Sequence, residues 1–172
     1  MPPALAGSRG LESSRGTGKG RPAMVGLSIR WITVLAPRDT ARAMSQENVE
    51  LVRRLTEAFE ARDIGAFVAA HHADAEVRNL RSQIVGPYRG HAGIRRMAEE
   101  TFDMAPDYAI QIDEIRDCGS RVLLLGRQRG TVGGVPIDEV LAELFEIAAG
   151  KVASSQDFAT VEKALEAAGL SE

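Results

Sequence analysis

The sequence is poor in the residues and spacings that mark several common classes of site. Among its 172 residues Cys118 is the one cysteine, which excludes an internal disulfide and a multi-cysteine zinc site. Its three histidines include no pair at positions i and i+4, the spacing that places two metal ligands on one helix face. His71 and His72 are adjacent at a predicted helix end, where their side chains diverge by about 100°. We therefore expect no metal ion and no cofactor.

Positive charge is scarce in most of the chain. Residues 1–43 carry a net charge of +5, whereas the remainder carries −8. An acidic body is a poor match for a polyanion, so we expect no nucleic-acid partner. The apolar stretch over residues 23–36 is too short to cross a bilayer and has Arg30 at its centre. The same arginine interrupts the run that a signal peptide needs, so we expect a cytoplasmic protein with no membrane partner.

The beginning of the chain differs in composition from the rest. Gly, Pro, Ser and Arg dominate residues 1–22, and such a segment cannot bury enough apolar surface to fold alone. Met44 is typical of a translation start, and Ser45 is a good helix N-cap. We therefore divide the chain into residues 1–43, a disordered or wrongly extended N-terminal segment, and a domain over residues 44–172.

The domain shows helical periodicity first and strand alternation afterwards. Apolar spacing predicts four helices, over residues 46–61, 64–71, 92–103 and 161–168. Alternation and turn signals predict five strands, over residues 75–80, 108–112, 121–131, 137–147 and 151–158. This order indicates an α+β fold in which a curved antiparallel sheet carries its helices on one face.

Four passages within this order carry a family resemblance: SQENVELVRRLTEAFEARD, GPYRGHAGIRR, LLGRQRG with its following GGVP, and ALEAAGL. Together they resemble the SnoaL-like group of the nuclear transport factor 2-like superfamily, over about residues 44–172. The resemblance implies a cone-shaped α+β barrel of a curved antiparallel or mixed sheet, with N-terminal helices on its concave face and a hydrophobic pocket between them. It also implies a small hydrophobic ligand and a homodimer through the outer face of the sheet. Members of this superfamily perform several reactions or none, so the fold alone decides no activity.

The ketosteroid isomerases of this superfamily use three pocket residues that are of other types here. By the resemblance, their catalytic base falls at Asn79, their tyrosine near Leu55 and their protonated aspartate near Ala142. Asparagine cannot take a proton at neutral pH, and neither leucine nor alanine can donate a hydrogen bond to an enolate. We therefore do not expect chemistry of the ketosteroid isomerase type.

The epoxide hydrolases of the superfamily match at more positions. By the resemblance, Asn79, Arg127 and Asp157 stand where those enzymes have an asparagine, an arginine and an aspartate. Val77 stands in place of their tyrosine, and Arg129 in place of their other aspartate, two residues after the arginine. Because activating water and protonating an epoxide need two carboxyl roles, this set is incomplete for that reaction.

Strand alternation gives an independent expectation about the pocket. Successive side chains point to opposite faces of a strand, so Val77 shares a face with Asn79, Arg127 with Arg129, and Ser155 with Asp157. If these faces are concave, Asp157 is an acid–base group, Arg127 tunes its pKa, and Asn79 orients substrate or water. Residues expected to contact the ligand are Val77, Leu55, Phe59, Ala142 and Ser155. The acidic residues expected on the convex face are Glu139 and Glu143.

The sequence does not decide whether the chain is an enzyme. The first hypothesis is an acid–base enzyme of the isomerase, cyclase or hydrolase type that acts on a small hydrophobic molecule. The second is a non-catalytic module that binds such a molecule in the same pocket. The third is a dimeric interaction scaffold, which requires the pocket to be filled by side chains. An inward Asp–Arg pair also has a purely structural interpretation, as an ion pair between neighbouring strands.

Overall fold

The described part of the chain, residues 37–170 of the computed structural model, consists of five helices and six strands. The helices are α1 (Pro37–Glu60), α2 (Ile64–Ala69), α3 (Ser82–Val85), α4 (Gly90–Met104) and α5 (Val161–Ala168). The strands are β1 (His71–Arg78), β2 (Tyr88–Arg89), β3 (Ala109–Cys118), β4 (Arg121–Val132), β5 (Val135–Ala148) and β6 (Lys151–Asp157). Most of the predicted N-terminal segment, residues 1–36, lies outside the described residues.

The six strands form one sheet in the order β2-β1-β6-β5-β4-β3. Neighbouring strands are antiparallel except β1 and β6, which are parallel. Because β2 and β3 remain as edges, the sheet curves without closing into a complete barrel. The predicted α+β class and the mixed, cone-shaped sheet are confirmed.

The main core lies between the concave face of the sheet and the helices α1, α2 and α4. Each helix contributes a stripe of apolar side chains at intervals of three or four residues, and burying each one stabilises the fold by ~1.5–3 kcal/mol. The helical members of this core are Leu51, Val52, Leu55, Phe59, Phe67, Val68, Ile94, Met97, Ala98 and Phe102. From the sheet, Val122 and Leu124 on β4 and Phe145 on β5 face them.

The last helix, α5, covers the other face of the sheet. Ala164 and Ala168 pack against Leu123, Leu125 and Ala142 in a second apolar cluster. Alternation along β4 therefore sends Leu123 and Leu125 outward, while their neighbours enter the main core. The expectation that all helices lie on one face is wrong, because part of β4 is apolar on both sides and needs cover on both.

One irregularity of the sheet lies where β3 meets β4. The register between these strands shifts between Ile112 and Glu114, which inserts one extra residue into β3. Opposite this bulge stands Gly126, and a Cβ atom there would lie 2.1 Å from the carbonyl oxygen of Gln111. The missing side chain lets the two backbones approach, so the sheet can bend around its concave face.

Several boundaries differ from those predicted. Helix α1 begins at Pro37 instead of residue 46. No helix in residues 37–170 is both long and apolar enough to cross a membrane. His71 and His72 begin β1 instead of ending a helix, because β1 pairs with β6, where the amide of Val152 donates to the carbonyl of Ala70 at 3.0 Å. The short elements α3 and β2 were not predicted.

Replacing Gly126 by alanine tests the close approach of β3. We expect Gly126→Ala to lower the free energy of unfolding by about 1–3 kcal/mol or more, because the new methyl group meets backbone that cannot move aside. Urea denaturation followed by circular dichroism measures this change. The matched control is Gly65→Ala in α2, where the nearest atom is a side-chain oxygen of Asp63 at 3.3 Å. Equal stabilities of the two variants would contradict the steric role of Gly126.

Candidate functional site

A cavity of about 280 Å³ lies between the concave face of the sheet and α1, α2 and α4. Aromatic rings form much of its wall, from Phe59, Phe67, Tyr108 and Phe145. Phe59 contacts the rings of Phe67 and Tyr108 at centroid distances of 4.8 and 5.8 Å. The wall is therefore a packed aromatic and aliphatic surface into which a few polar groups are set.

Strand register determines which polar groups reach the cavity. On β5 and β6, Glu143 pairs directly with Asp157, and both side chains line the cavity. Residues paired in this way across an antiparallel sheet typically have Cβ atoms about 4.5–5.5 Å apart. Two residues before Asp157, Ser155 pairs with Val77 of β1 and faces the same space.

The two carboxyl groups of Glu143 and Asp157 are held away from bulk water. Each is half-buried, and both line the apolar cavity. Burial raises the pKa of Asp157 to about 7, against the opposing effect of a hydrogen bond from the backbone of Leu80. Burial, and then the neighbouring charge of Asp157, raise the pKa of Glu143 well above its usual value. Near neutral pH the pair therefore holds about one proton more than two ordinary carboxylates would.

Ser155 adds a hydroxyl group beside this pair. Its side chain is 3% exposed, and its Oγ has no hydrogen-bond partner within normal bonding distance among the described residues. The hydroxyl nevertheless lies close enough to Glu143 to oppose the rise in the pKa of that carboxyl group. A buried hydroxyl without a close partner is uncommon and leaves hydrogen-bonding capacity directed at the cavity.

A second set of polar side chains on the cavity wall consists of Tyr108, just before β3, Gln128 on β4 and Glu139 on β5. The hydroxyl of Tyr108 donates to Oε1 of Gln128 at 2.8 Å, and Nε2 of Gln128 lies 3.4 Å from Oε2 of Glu139. Burial raises the pKa of Tyr108, and the negative charges of Asp157, Glu143 and Glu139 add to the effect. Tyr108 is therefore a neutral phenol whose proton is already engaged.

His71 lines the cavity as a neutral imidazole. Burial lowers its pKa to about 4, despite a bond between Nδ1 and the carbonyl of Phe67 at 2.9 Å. Because a carbonyl only accepts, Nδ1 carries the proton and Nε2 is left as an acceptor. The prediction that a helix ends at His71 is wrong, since β1 begins there and places the imidazole in the cavity wall.

Asn79 lies at the end of β1 and also lines the cavity. Its Oδ1 accepts a hydrogen bond from the amide of Ser82 at 2.9 Å, and its carbonyl accepts from the Ser82 hydroxyl at 2.6 Å. These bonds hold the turn into α3 and fix the orientation of the side-chain amide. The Nδ2 hydrogens remain for other partners.

Six of the eight residues expected at the site line the cavity. They are Asp157, Asn79, Val77, Leu55, Phe59 and Ser155. Their placement agrees with the expected concave faces of β1 and β6, and their chemical roles remain predictions. The residues missed by sequence reasoning are Glu143, Glu139, Gln128, Tyr108 and His71, all of which line the same cavity.

The expectation that Arg127 faces the pocket is wrong. Its guanidinium lies on the convex face, where Nε is 2.6 Å from Oδ1 of Asp138, and Arg129 binds the same carboxylate at 3.3 Å. The register of β4 sends Gln128 into the cavity instead. Arg127 shares strand parity with Leu123 and Leu125, which α5 covers from outside, so parity predicts its face only once the position of α5 is known.

The same error of parity affects β5. Ala142 was expected to contact the ligand, but it is buried in the outer cluster beneath α5. Glu139 and Glu143, expected on the convex face, line the cavity. Acidic character made the convex face the natural interpretation for these residues, although alternation alone does not say which face of a strand is concave.

A mixed, unclosed sheet that curves around such a cavity beneath helices defines the nuclear transport factor 2-like class of proteins. Within that class, the SnoaL-like domain family matches residues 52–155, and the chain belongs to this family. No curated protein matches the chain.

Two solved structures illustrate the similarity. An NTF2-like protein of unknown function from Burkholderia pseudomallei is 20% identical, with a TM-score of 0.61 over 70% of this chain and 95% of that one. An LEH-like epoxide hydrolase from M. tuberculosis is 18% identical, with a TM-score of 0.57 over 73% of this chain and 93% of that one. At these identities the likeness extends to the fold and not to a reaction.

The raised pKa of Asp157 predicts a pH dependence of stability. The folded state binds a proton more tightly than the unfolded state, so the free energy of unfolding falls as pH rises from about 4 to about 7. The full shift of about three pKa units corresponds to roughly 4 kcal/mol, of which about two thirds is lost between pH 5 and pH 8, and Asp157→Asn should remove this loss. Urea denaturation of both proteins at pH 5 and pH 8 measures the difference.

The control for this measurement is Asp138→Asn on the convex face. Hydrogen bonding from Arg127 lowers the pKa of Asp138, so its contribution to stability is lost only as pH falls below the usual carboxyl range. This variant should therefore differ from the wild type by the same amount at pH 5 and pH 8. A wild-type protein that loses no more stability than Asp157→Asn over this range would contradict the assignment.

Proposed function

We propose that this protein binds a small, mostly apolar molecule in the cavity and acts on it by proton transfer. The observation that supports this most strongly is the direct pairing of Glu143 with Asp157 on the concave face of the sheet. Two carboxyl groups in an apolar space cannot both ionise easily, so one holds a proton while the other accepts one. A donor and an acceptor therefore lie side by side where a substrate would sit.

Asp157 is the group that exchanges the proton. A catalytic acid or base works best when its pKa lies near the working pH, and burial raises the pKa of Asp157 to about 7. Glu143, with its higher pKa, is the proton-holding partner and can donate a hydrogen bond to negative charge that develops on the substrate. Asn79 and Ser155 orient the substrate or a water molecule.

This arrangement is compatible with an isomerase, cyclase or hydrolase type of reaction. The catalytic residues expected from the epoxide hydrolases include two aspartates, and the sequence lacks one of them because Arg129 stands at that position. Glu143 supplies a second carboxyl group from a different strand. The similarity in fold to an epoxide hydrolase therefore keeps hydrolysis within the proposal, without Arg127 as a participant.

A non-catalytic ligand-binding module is the second candidate. Asn79 at the position of the isomerase base, and walls that are largely aromatic and aliphatic, favour binding without turnover. The scaffold hypothesis is less well supported, because it requires side chains to fill a pocket that retains about 280 Å³.

We also propose that the protein is a cytoplasmic homodimer that meets its partner through the convex face of the sheet. Part of that face is covered by α5, and a neighbouring part carries Arg127, Arg129 and Asp138 with Val140, which is 38% exposed. Light scattering coupled to gel filtration measures the mass of the particle and so tests this assembly.

Proton transfer by Asp157 can be tested before a substrate is known. Small molecules that co-purify with the protein are extracted, returned to it in D₂O, and analysed by mass spectrometry. We expect the wild type to exchange a carbon-bound hydrogen or convert the molecule, and Asp157→Asn to be slower by about 10²–10⁴-fold. Circular dichroism and thermal unfolding check that the variant is folded.

Arg127→Gln is the matched control, since it alters a charged residue on the opposite face of the sheet. It should leave turnover unchanged and cost no more than about 1 kcal/mol of stability, the usual contribution of an exposed ion pair. Recovery of the molecule unaltered and without deuterium from the wild type would support the binding module and contradict catalysis.

A further inference from the structure

The hydrogen-bond donors on the cavity wall are largely engaged within the protein. Three hydroxyl groups that line the cavity each donate to a protein oxygen. These bonds are Thr56 to the carbonyl of Val52 at 3.0 Å, Thr101 to the carbonyl of Met97 at 2.8 Å, and Tyr108 to Oε1 of Gln128 at 2.8 Å. His71 likewise directs its Nδ1 proton to the carbonyl of Phe67. The donors left for a ligand are the amide group of Asn79, the Ser155 hydroxyl and the one proton held by the carboxyl pair.

Acceptors on the same wall are more abundant. Glu143, Asp157 and Glu139 bring three carboxyl groups to the cavity, and His71 leaves an acceptor nitrogen. With one proton shared by Glu143 and Asp157, the wall still carries negative charge. An apolar cavity strengthens the attraction of such charge for a cation, because little water screens it.

Positive charge on the wall is limited and already paired. Among the described residues that line the cavity, Arg81 alone carries a permanent positive charge. Its Nη1 lies 3.3 Å from Oε2 of Glu100, and its side chain is 37% exposed. A ligand carboxylate or phosphate would have to compete with Glu100 for this guanidinium while facing three carboxyl groups.

Ser155 provides an independent sign that a polar ligand group belongs near the carboxyl pair. Ser155 is 3% exposed, and among residues 37–170 its Oγ has no hydrogen-bond partner within normal bonding distance, although it lies near the carboxyl group of Glu143. Leaving a hydroxyl unsatisfied in a buried position costs free energy, so a ligand atom that bonds to it would stabilise the folded protein. This hydroxyl shares the concave face of β6 with Asp157.

We propose that the ligand of this cavity is a protonated amine on an apolar body, with its nitrogen bound between Glu143, Asp157 and Ser155. A primary or secondary ammonium group offers two or three donors and one positive charge, which matches the excess of acceptors and the negative charge. Its apolar body lies against the rings of Phe59, Phe67 and Phe145, whose faces also attract cations. The inference rests on the proposed function, since it takes this cavity to be the ligand site.

The test uses matched series of amines, alcohols and carboxylates on the same apolar body. Benzylamine, benzyl alcohol and benzoate form one series, and cyclohexylmethylamine, cyclohexylmethanol and cyclohexanecarboxylate form another. Titration calorimetry and thermal unfolding measure binding to the wild type at neutral pH. We expect each amine to bind at least about tenfold more tightly than its alcohol, and the carboxylates not to bind.

Variants locate the bound nitrogen. Asp157→Asn keeps the shape of the wall and removes the carboxyl group that ionises near neutral pH, so it should lose most of the preference for the amine. Glu143→Gln replaces the proton-holding partner by a neutral amide and should lose less of it. Arg127→Gln on the convex face should retain that preference. If the amine preference persists in both carboxyl variants, the nitrogen binds elsewhere and the inference is overturned.

The remaining outcomes separate this inference from the proposed function. If an alcohol binds as tightly as its amine, or a carboxylate binds more tightly, the ligand class is wrong while the cavity remains the binding site. If no member of either series binds or stabilises the wild type, the cavity does not take small apolar molecules. The proposed function would then fail together with the ligand class.

Discussion

The pairing of β5 with β4 and β6 is the constraint on which the site depends. This ladder brings Glu143 opposite Asp157 and Glu139 opposite Gln128, so four polar side chains enter one apolar cavity. A slip of one residue would exchange every inward side chain for an outward one. It would replace Glu143 by a neighbour that now packs beneath α5, and the carboxyl pair would disappear.

Helices cover both faces of the sheet, and this cover allows only one register of the central strands. The N-terminal helices require one apolar face, and α5 requires another, so the central strands cannot shift without exposing a core. Beyond the end of α5 the convex face is open to solvent, and charged residues such as Arg127 and Asp138 are tolerated there as an exposed ion pair. The cavity side carries the opposite arrangement, since Glu143 and Asp157 form no ion pair with an arginine among residues 37–170.

Holding the carboxyl pair in an apolar wall conflicts with stability. Burial raises the pKa of both groups because it disfavours their charged forms, and the folded protein must bear that cost at neutral pH. Strand pairing and the two apolar cores offset this cost in free energy and hold the two side chains in place. A bound cation would stabilise the charged forms of the two carboxyl groups. Binding of such a ligand would therefore raise the free energy of unfolding.

The sequence by itself determined the α+β class, the family, most helices and strands, and the inward positions of Asn79, Ser155 and Asp157. Periodicity and turn residues are local signals, and they are sufficient for the class and for most helices and strands, whereas the family and the inward positions followed from the family resemblance. Only the tertiary structure decided which face of β4 and β5 is concave, and therefore that Glu143 and not Arg127 stands beside Asp157. Alternation fixes which residues share a face, whereas the choice of face depends on where distant helices pack.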